Sequence, residues 1–98
     1  MPDVTVVFWR DIPAQVIVGS GRRASKVQLP ERFEQAIDRA AMKVGARGSD
    51  DYLAEWRKAP PYAAEGEPET VARAEAAGLE AAYTPERLRA LIANDGRA

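Results

Sequence analysis

The 98-residue chain contains no cysteine and no histidine. The first absence removes disulfides, thiolate nucleophiles and cysteine-held metal or iron–sulfur sites. The second removes the commonest general base and the commonest metal ligand. Neither a Ser-His-Asp nor a Cys-His arrangement can be assembled from what remains. No apolar run approaches the ~18 residues of a membrane span, and Met1-Pro2-Asp3 opens without the basic start or apolar stretch of a secretory signal. The expectation is a cytoplasmic protein without a cofactor, working by binding and not by catalysis. An enzyme would have to draw its proton donor or acceptor from Asp11, Arg10 or a tyrosine, and no constellation at a known spacing supports that.

What is present is the composition of a folded domain, 46% apolar and 30% charged. At this length one domain over residues 1–98 is expected, with a thin core that buries roughly 60–65% of the unfolded surface. A larger protein partner or a second copy of the chain would add to that core. Net charge is −1, which argues against nucleic acid as the partner. The charge is unevenly spread: residues 1–58 carry ten Lys and Arg against eight Asp and Glu, residues 59–98 four against seven. Most of the positive excess sits at Arg10, Arg22, Arg23 and Lys26.

Local patterns predict strands first and helices after, an α+β fold with a small antiparallel hairpin or sheet packed against about four helices. Val4 to Trp9 is β-branched and aromatic, hence a strand. Asp11-Ile12-Pro13 breaks it, Ala14 to Val18 is a second strand, and the short link makes an antiparallel hairpin. Apolar residues fall on both sides of each strand, so a partner is one candidate for covering the second face. Val27 and Leu29 alternate with polar neighbours and suit a short edge strand, closing a β-rich segment 3–29. The rest, 30–95, reads as helical. Pro30-Glu31 opens a helix carrying Phe33, Ile37, Ala40, Ala41 and Val44 at helical spacing and stopped by Gly45. Ser49 caps a short helix through Tyr52, Leu53 and Trp56, ended by Pro60-Pro61, with a loop to Gly66. Pro68 restarts a helix to about Tyr83, so rich in Ala and Glu that a surface position is expected. Thr84-Pro85-Glu86 opens a last helix with Leu88, Leu91 and Ile92 inside, ended by Asn94-Asp95-Gly96.

Two segments are candidate sites. In Gly19-Ser20-Gly21-Arg22-Arg23 the glycines allow close backbone approach, and two guanidinium forks suit a carboxylate or phosphate. Lys26 adds a third cation. The segment has neither a P-loop nor a dinucleotide pattern, so the ligand class is an anionic small molecule and no more. The plain alternative is a solvated turn whose arginines protect a strand edge. In Trp9-Arg10-Asp11, an exposed Trp beside an Arg would anchor an interface. Alternatively Trp9 is core and Arg10–Asp11 a local ion pair of little weight. Basic residues interleaved with an aromatic also suit single-stranded nucleic acid, but the aromatic pattern of an RNA-recognition sheet is missing. Tyr52 and Trp56, four apart, read as core packing. Asp50 and Asp51 read as the cap and first turn of their helix.

The run Phe8-Trp9-Arg10-Asp11-Ile12-Pro13-Ala14-Gln15-Val16-Ile17-Val18-Gly19, followed by Gly21-Arg22-Arg23, resembles the signature of a bacterial family of small proteins known as "virulence factor". Pro30 to Met42, with Phe33, Ala36, Ile37 and Ala40-Ala41-Met42, and Tyr52-Leu53 through Trp56-Arg57 are similar to it as well. The likeness spans residues 3–58 and, more loosely, the acidic remainder. The family name implies a phenotype, not a reaction. Similar domains occur fused to an iron–sulfur-scaffold-like module and helical repeats, and stand-alone members are encoded near folate- and corrinoid-dependent methyl-transfer enzymes. The resemblance therefore implies an accessory, protein-binding role, possible here only without a cluster, since no cysteine is present.

Overall fold

Asp3–Trp9 and Ile12–Val18 form β1 and β2, an antiparallel hairpin joined by Arg10 and Asp11 alone. Ile12 and Pro13, expected as a break, belong to β2. The computed structural model describes residues 3–19, 21–46 and 50–98, and of Arg23 the backbone alone. The tight connection is reached by giving Arg10 a left-handed conformation, φ 53°, which costs a non-glycine residue about 1–2 kcal/mol. The pairing register shifts between Val7 and Phe8, where β2 inserts an extra residue. Such a bulge bends and twists the strand. The two-residue burial period of β1, Val4 and Val6, gives way there to Trp9.

Ser25–Gln28 is β3, paired outside β2, and a 3₁₀ turn over Gly21–Arg23 leads into it. On the other side of β1 two short strands follow one another: β4, Trp56–Lys58, opposite Val7 to Trp9, and β5, Tyr62–Ala63, opposite Asp3 and Val4. These two strands correct the expected helix through Trp56 and the expected loop after it, and they interrupt the segment read as helical. Pro60 and Pro61 have no N–H to donate, so the ladder is split in two, with Ala59 N–H still donating to the Val6 carbonyl at 3.0 Å. The path through the sheet is β3-β2-β1-β4.

Four helices complete the fold: α1, Glu31–Lys43; α2, Asp50–Ala54; α3, Pro68–Ala82; and α4, Pro85–Ala93. α1 follows Pro30 and buries Phe33, Ala36, Ile37, Ala40 and Ala41. It ends in a left-handed Gly45 with Ala46 N–H on the Ala41 carbonyl and Gly45 N–H on that of Met42, the Schellman pattern. The expected Ser49 cap of α2 lies outside the described residues. Thr84 Oγ1 accepts from Arg87 N–H and caps α4 as expected.

α3 is the correction with the widest consequence. Its Val71, Ala72 and Ala76 are buried against β2 and β3, so the helix expected at the surface covers the sheet. Tyr62, paired with Val4 and so on Val4's face, donates its hydroxyl to Glu75 of α3 at 2.6 Å. Burial and that carboxylate push the Tyr62 phenol up to about 12. α1 packs on β2 and on α4. The core joins Val4, Val16 and Val18 of the sheet to Leu29, Phe33 and Ile37, and to Leu88 and Leu91 of α4. Burying each of the large side chains is worth about 1.5–3 kcal/mol. The molecule measures 19 Å through its thinnest direction, one sheet and one layer of helices. Among the described residues no helix is long and apolar enough to cross a membrane.

Candidate functional site

The sheet has a second face. Its register sets Lys58, Val7, Gln15 and Gln28 in one row across the four strands, and Thr5, Ile17 and Lys26 in the next. Alternation puts these side chains opposite to Val4, Val16 and Val18, hence away from α3. Thr5, Val7, Gln15 and Ile17 are half-buried, while Lys26, Gln28 and Lys58 are exposed. A shallow cavity of about 310 Å³ opens on this face, lined by Thr5, Ile17, Gly19, Gly21, Ala24, Lys26 and Lys58. Among the described residues none of the α-helices contributes to it, and Gly21 comes from the 3₁₀ turn.

The cavity unites three of the expected residues, Gly19, Gly21 and Lys26. Gly19 and Gly21 hold φ 90° and 63°, and at Gly21 an added Cβ would meet nothing within 4 Å. Glycine is there for the left-handed backbone, and its missing side chain leaves the main chain open to a ligand. Arg22 is exposed on the 3₁₀ turn beside the cavity without lining it. Ser20 and the Arg23 side chain lie outside the described residues. Lys58 and Thr5 were not foreseen. Thr5 is legible in the alternation Val4-Thr5-Val6, whereas Lys58 was hidden by the helix expected at Trp56. Lys26 and Lys58 come from the two edges of the sheet, and neither has an ion-pair partner among the described residues. Asp3, two residues before Thr5, is the acid at the end of this face. The set is two ammonium groups, a hydroxyl and peptide groups around an aliphatic floor, which is a set for holding an anion.

Trp9, Arg10 and Asp11 sit at the other end of the hairpin, about 20 Å along the strands. They form no exposed anchor. Trp9 is 0% exposed and donates its indole N–H to the Tyr52 carbonyl at 3.0 Å, with the Tyr52 ring 5.8 Å away and Trp56 edge-on to Tyr52. Arg10 stacks over Trp9 and donates from Nη1 to the Asp95 carbonyl at 2.7 Å. Its Nε lies 3.4 Å from Glu55 Oε2, an ion-pair distance without hydrogen-bond alignment. Asp11 pairs with Arg57, not with Arg10 as expected, and its other oxygen accepts from Ala98 N–H at 2.7 Å. Asp11 N–H donates to the Gly96 carbonyl, and Gly96 is close enough to Trp9 that an added Cβ would stand 3.0 Å from the ring. The turn is thus a clasp closing the hairpin onto the chain after α4.

The Ala98 N–H bond, followed by the Arg57 guanidinium and opposed by partial burial, holds the Asp11 carboxyl below the usual carboxylate range. A lowered folded value means stability that is present above the unfolded carboxylate pKa and lost as pH falls through the folded one. Asp11→Asn is expected to cost about 1 kcal/mol at pH 7. That difference should shrink as pH falls through the ordinary carboxylate range and below it. Urea titrations of both proteins across the acid range check this, and a difference constant with pH would remove the carboxylate from the account.

A family model described as "Virulence factor" matches residues 7–92. The chain belongs to that family. No curated protein and no solved structure matches it. The family match takes in the clasp turn, both candidate lysines and all of α1 to α3, while Thr5 of the cavity and Asp95, Gly96 and Ala98 of the clasp fall outside the matched residues.

Proposed function

We propose that this virulence factor domain is a non-catalytic binding protein that holds a carboxylated or phosphorylated metabolite on the uncovered face of its sheet. The observation that carries the reading is the convergence of Lys26 and Lys58, both without a counter-charge among the described residues, on the cavity edged by Gly19 and Gly21. Two point charges at separate edges suit a ligand with two anionic groups, or one extended acidic tail lying over Val7 and Ile17. An accessory role beside folate- and corrinoid-dependent enzymes, implied by the resemblance, fits as a choice of anion, because a folate ends in glutamate carboxylates. It does not fit as docking through Trp9 and Arg10. Both are committed inside the protein, so a Trp9→Ala/Arg10→Ala variant that lost a partner would report lost folding.

Thermal unfolding with added pyrophosphate or tri-glutamate tests the reading. Near ten times its Kd a ligand stabilises by about 1.4 kcal/mol, which raises Tm by about 7 °C in a domain of this size. Lys26→Ala/Lys58→Ala should lose that rise while melting like the unmodified protein without ligand, and Arg22→Ala should lose part of it. Tri-glutamate acting where pyrophosphate does not would favour the folate-type ligand. No shift with either probe, or equal shifts in the double variant, would sink the reading.

A further inference from the structure

On the opposite side of the molecule α1 and α4 lie side by side, and the groove between them is lined by arginines. Arg39 and Arg89 are exposed on its two walls and make no ion pair or hydrogen bond with the described residues. Arg32 lines it too. Its Nη2 is tied to the Glu80 carbonyl at 2.8 Å, and its guanidinium lies over Phe33. Its Nε–H is buried without an acceptor among the described residues. The acids of the same two helices, Glu31, Glu34, Asp38 and Glu86, stand beyond ion-pair distance of all three. The floor is apolar, built from Ala36, Leu88 and Ile92. Three unneutralised guanidiniums on a chain of net charge −1 are a local surplus that an anionic partner would complete.

We infer that this groove docks an acidic, aliphatic segment of a partner protein. The cavity is about 120 Å³, well short of the ~300 Å³ at which small-molecule pockets begin. It has room for a side chain or two delivered by a longer chain. An aliphatic side chain rests on Ala36, Leu88 and Ile92, and carboxylates before and after it take the forks of Arg39 and Arg89. None of the lining residues is aromatic, which disfavours stacked bases. The inference shares no residue with the lysine face and stands or falls separately from it.

Selection of random dodecapeptides displayed on phage against the immobilised full chain is the test, with the recovered peptides remeasured by fluorescence polarisation. Peptides with Asp or Glu within a turn of Leu, Ile or Val are expected to be enriched. Their Kd should rise at least about tenfold, or 1.4 kcal/mol, on Arg39→Gln/Arg89→Gln. It should recover in part on Arg39→Lys/Arg89→Lys and stay unchanged on Lys26→Ala/Lys58→Ala. Far-UV circular dichroism and Tm confirm that these exposed substitutions leave the fold intact. No enrichment, enriched peptides without acid, equal binding to the Gln variant, or tighter binding of a short single-stranded oligonucleotide would each overturn the assignment.

Discussion

Trp9→Ala is expected to lower the unfolding free energy by about 3–5 kcal/mol. In a domain whose whole stability is about 5–15 kcal/mol, that is a large fraction of the total. The size follows from how many separate parts meet at this side chain. The ring fills the space between Tyr52 and Gly96, and its indole N–H satisfies the Tyr52 carbonyl. Removing it opens a cavity where the hairpin, α2 and the chain after α4 come together. Arg10 also loses the surface over which it is held, while its backbone stays in a strained conformation. Trp9→Phe should fall between the two proteins. It keeps most of the apolar contact and forfeits one hydrogen bond of about 1 kcal/mol. Equilibrium unfolding in guanidinium followed by far-UV circular dichroism measures both. An alanine variant within about 0.5 kcal/mol of the unmodified protein would remove Trp9 from the core.

The same residue marks how far local patterns reach. Strand composition and helix caps are local, and they located β1, most of β2, α1 and α4 within a residue or two. The caps at Pro30, Gly45 and Thr84 need only neighbours in sequence. Trp56 is different. Its spacing from Tyr52 is helical, and a helix continued through it would need the Tyr52 carbonyl. Trp9 takes that carbonyl, Glu55 N–H shares it at 3.4 Å, and the Glu55 carbonyl accepts from Arg10 N–H. These bonds end α2 at Ala54 and turn the chain into β4. No periodicity contains that information, since it comes from residues more than forty positions away. Lys58 was lost with it, and half of the candidate anion site with Lys58. The glycines and Lys26, being local, were legible, though not the face they open on. Arg39 and Arg89 lie fifty residues apart and become one groove only when α4 folds back along α1.

α3 gives the second large effect. Ala72→Leu is expected to cost about 1–3 kcal/mol, although leucine is a good helix former and the position reads as a weak surface face. Ala72 is 0% exposed and packs against the sheet, flanked along the helix by Val71 and Ala76. Small side chains allow a helix to lie close on its neighbours, since the spacing between packed elements follows the residues at the contact. A leucine there must lift α3 from β2 and β3 or force a strained rotamer. Ala77→Leu, exposed on the same helix, should stay within about 0.5 kcal/mol and isolates packing from propensity. Urea midpoints with unchanged m values make the comparison, and equal midpoints for the two variants would contradict the packing of α3. Lys26 and Lys58 face away from α3, on the other side of the same strands. Below its lowered melting temperature the Ala72→Leu protein should therefore bind tri-glutamate as the unmodified protein does, its stability lost and its anion site kept.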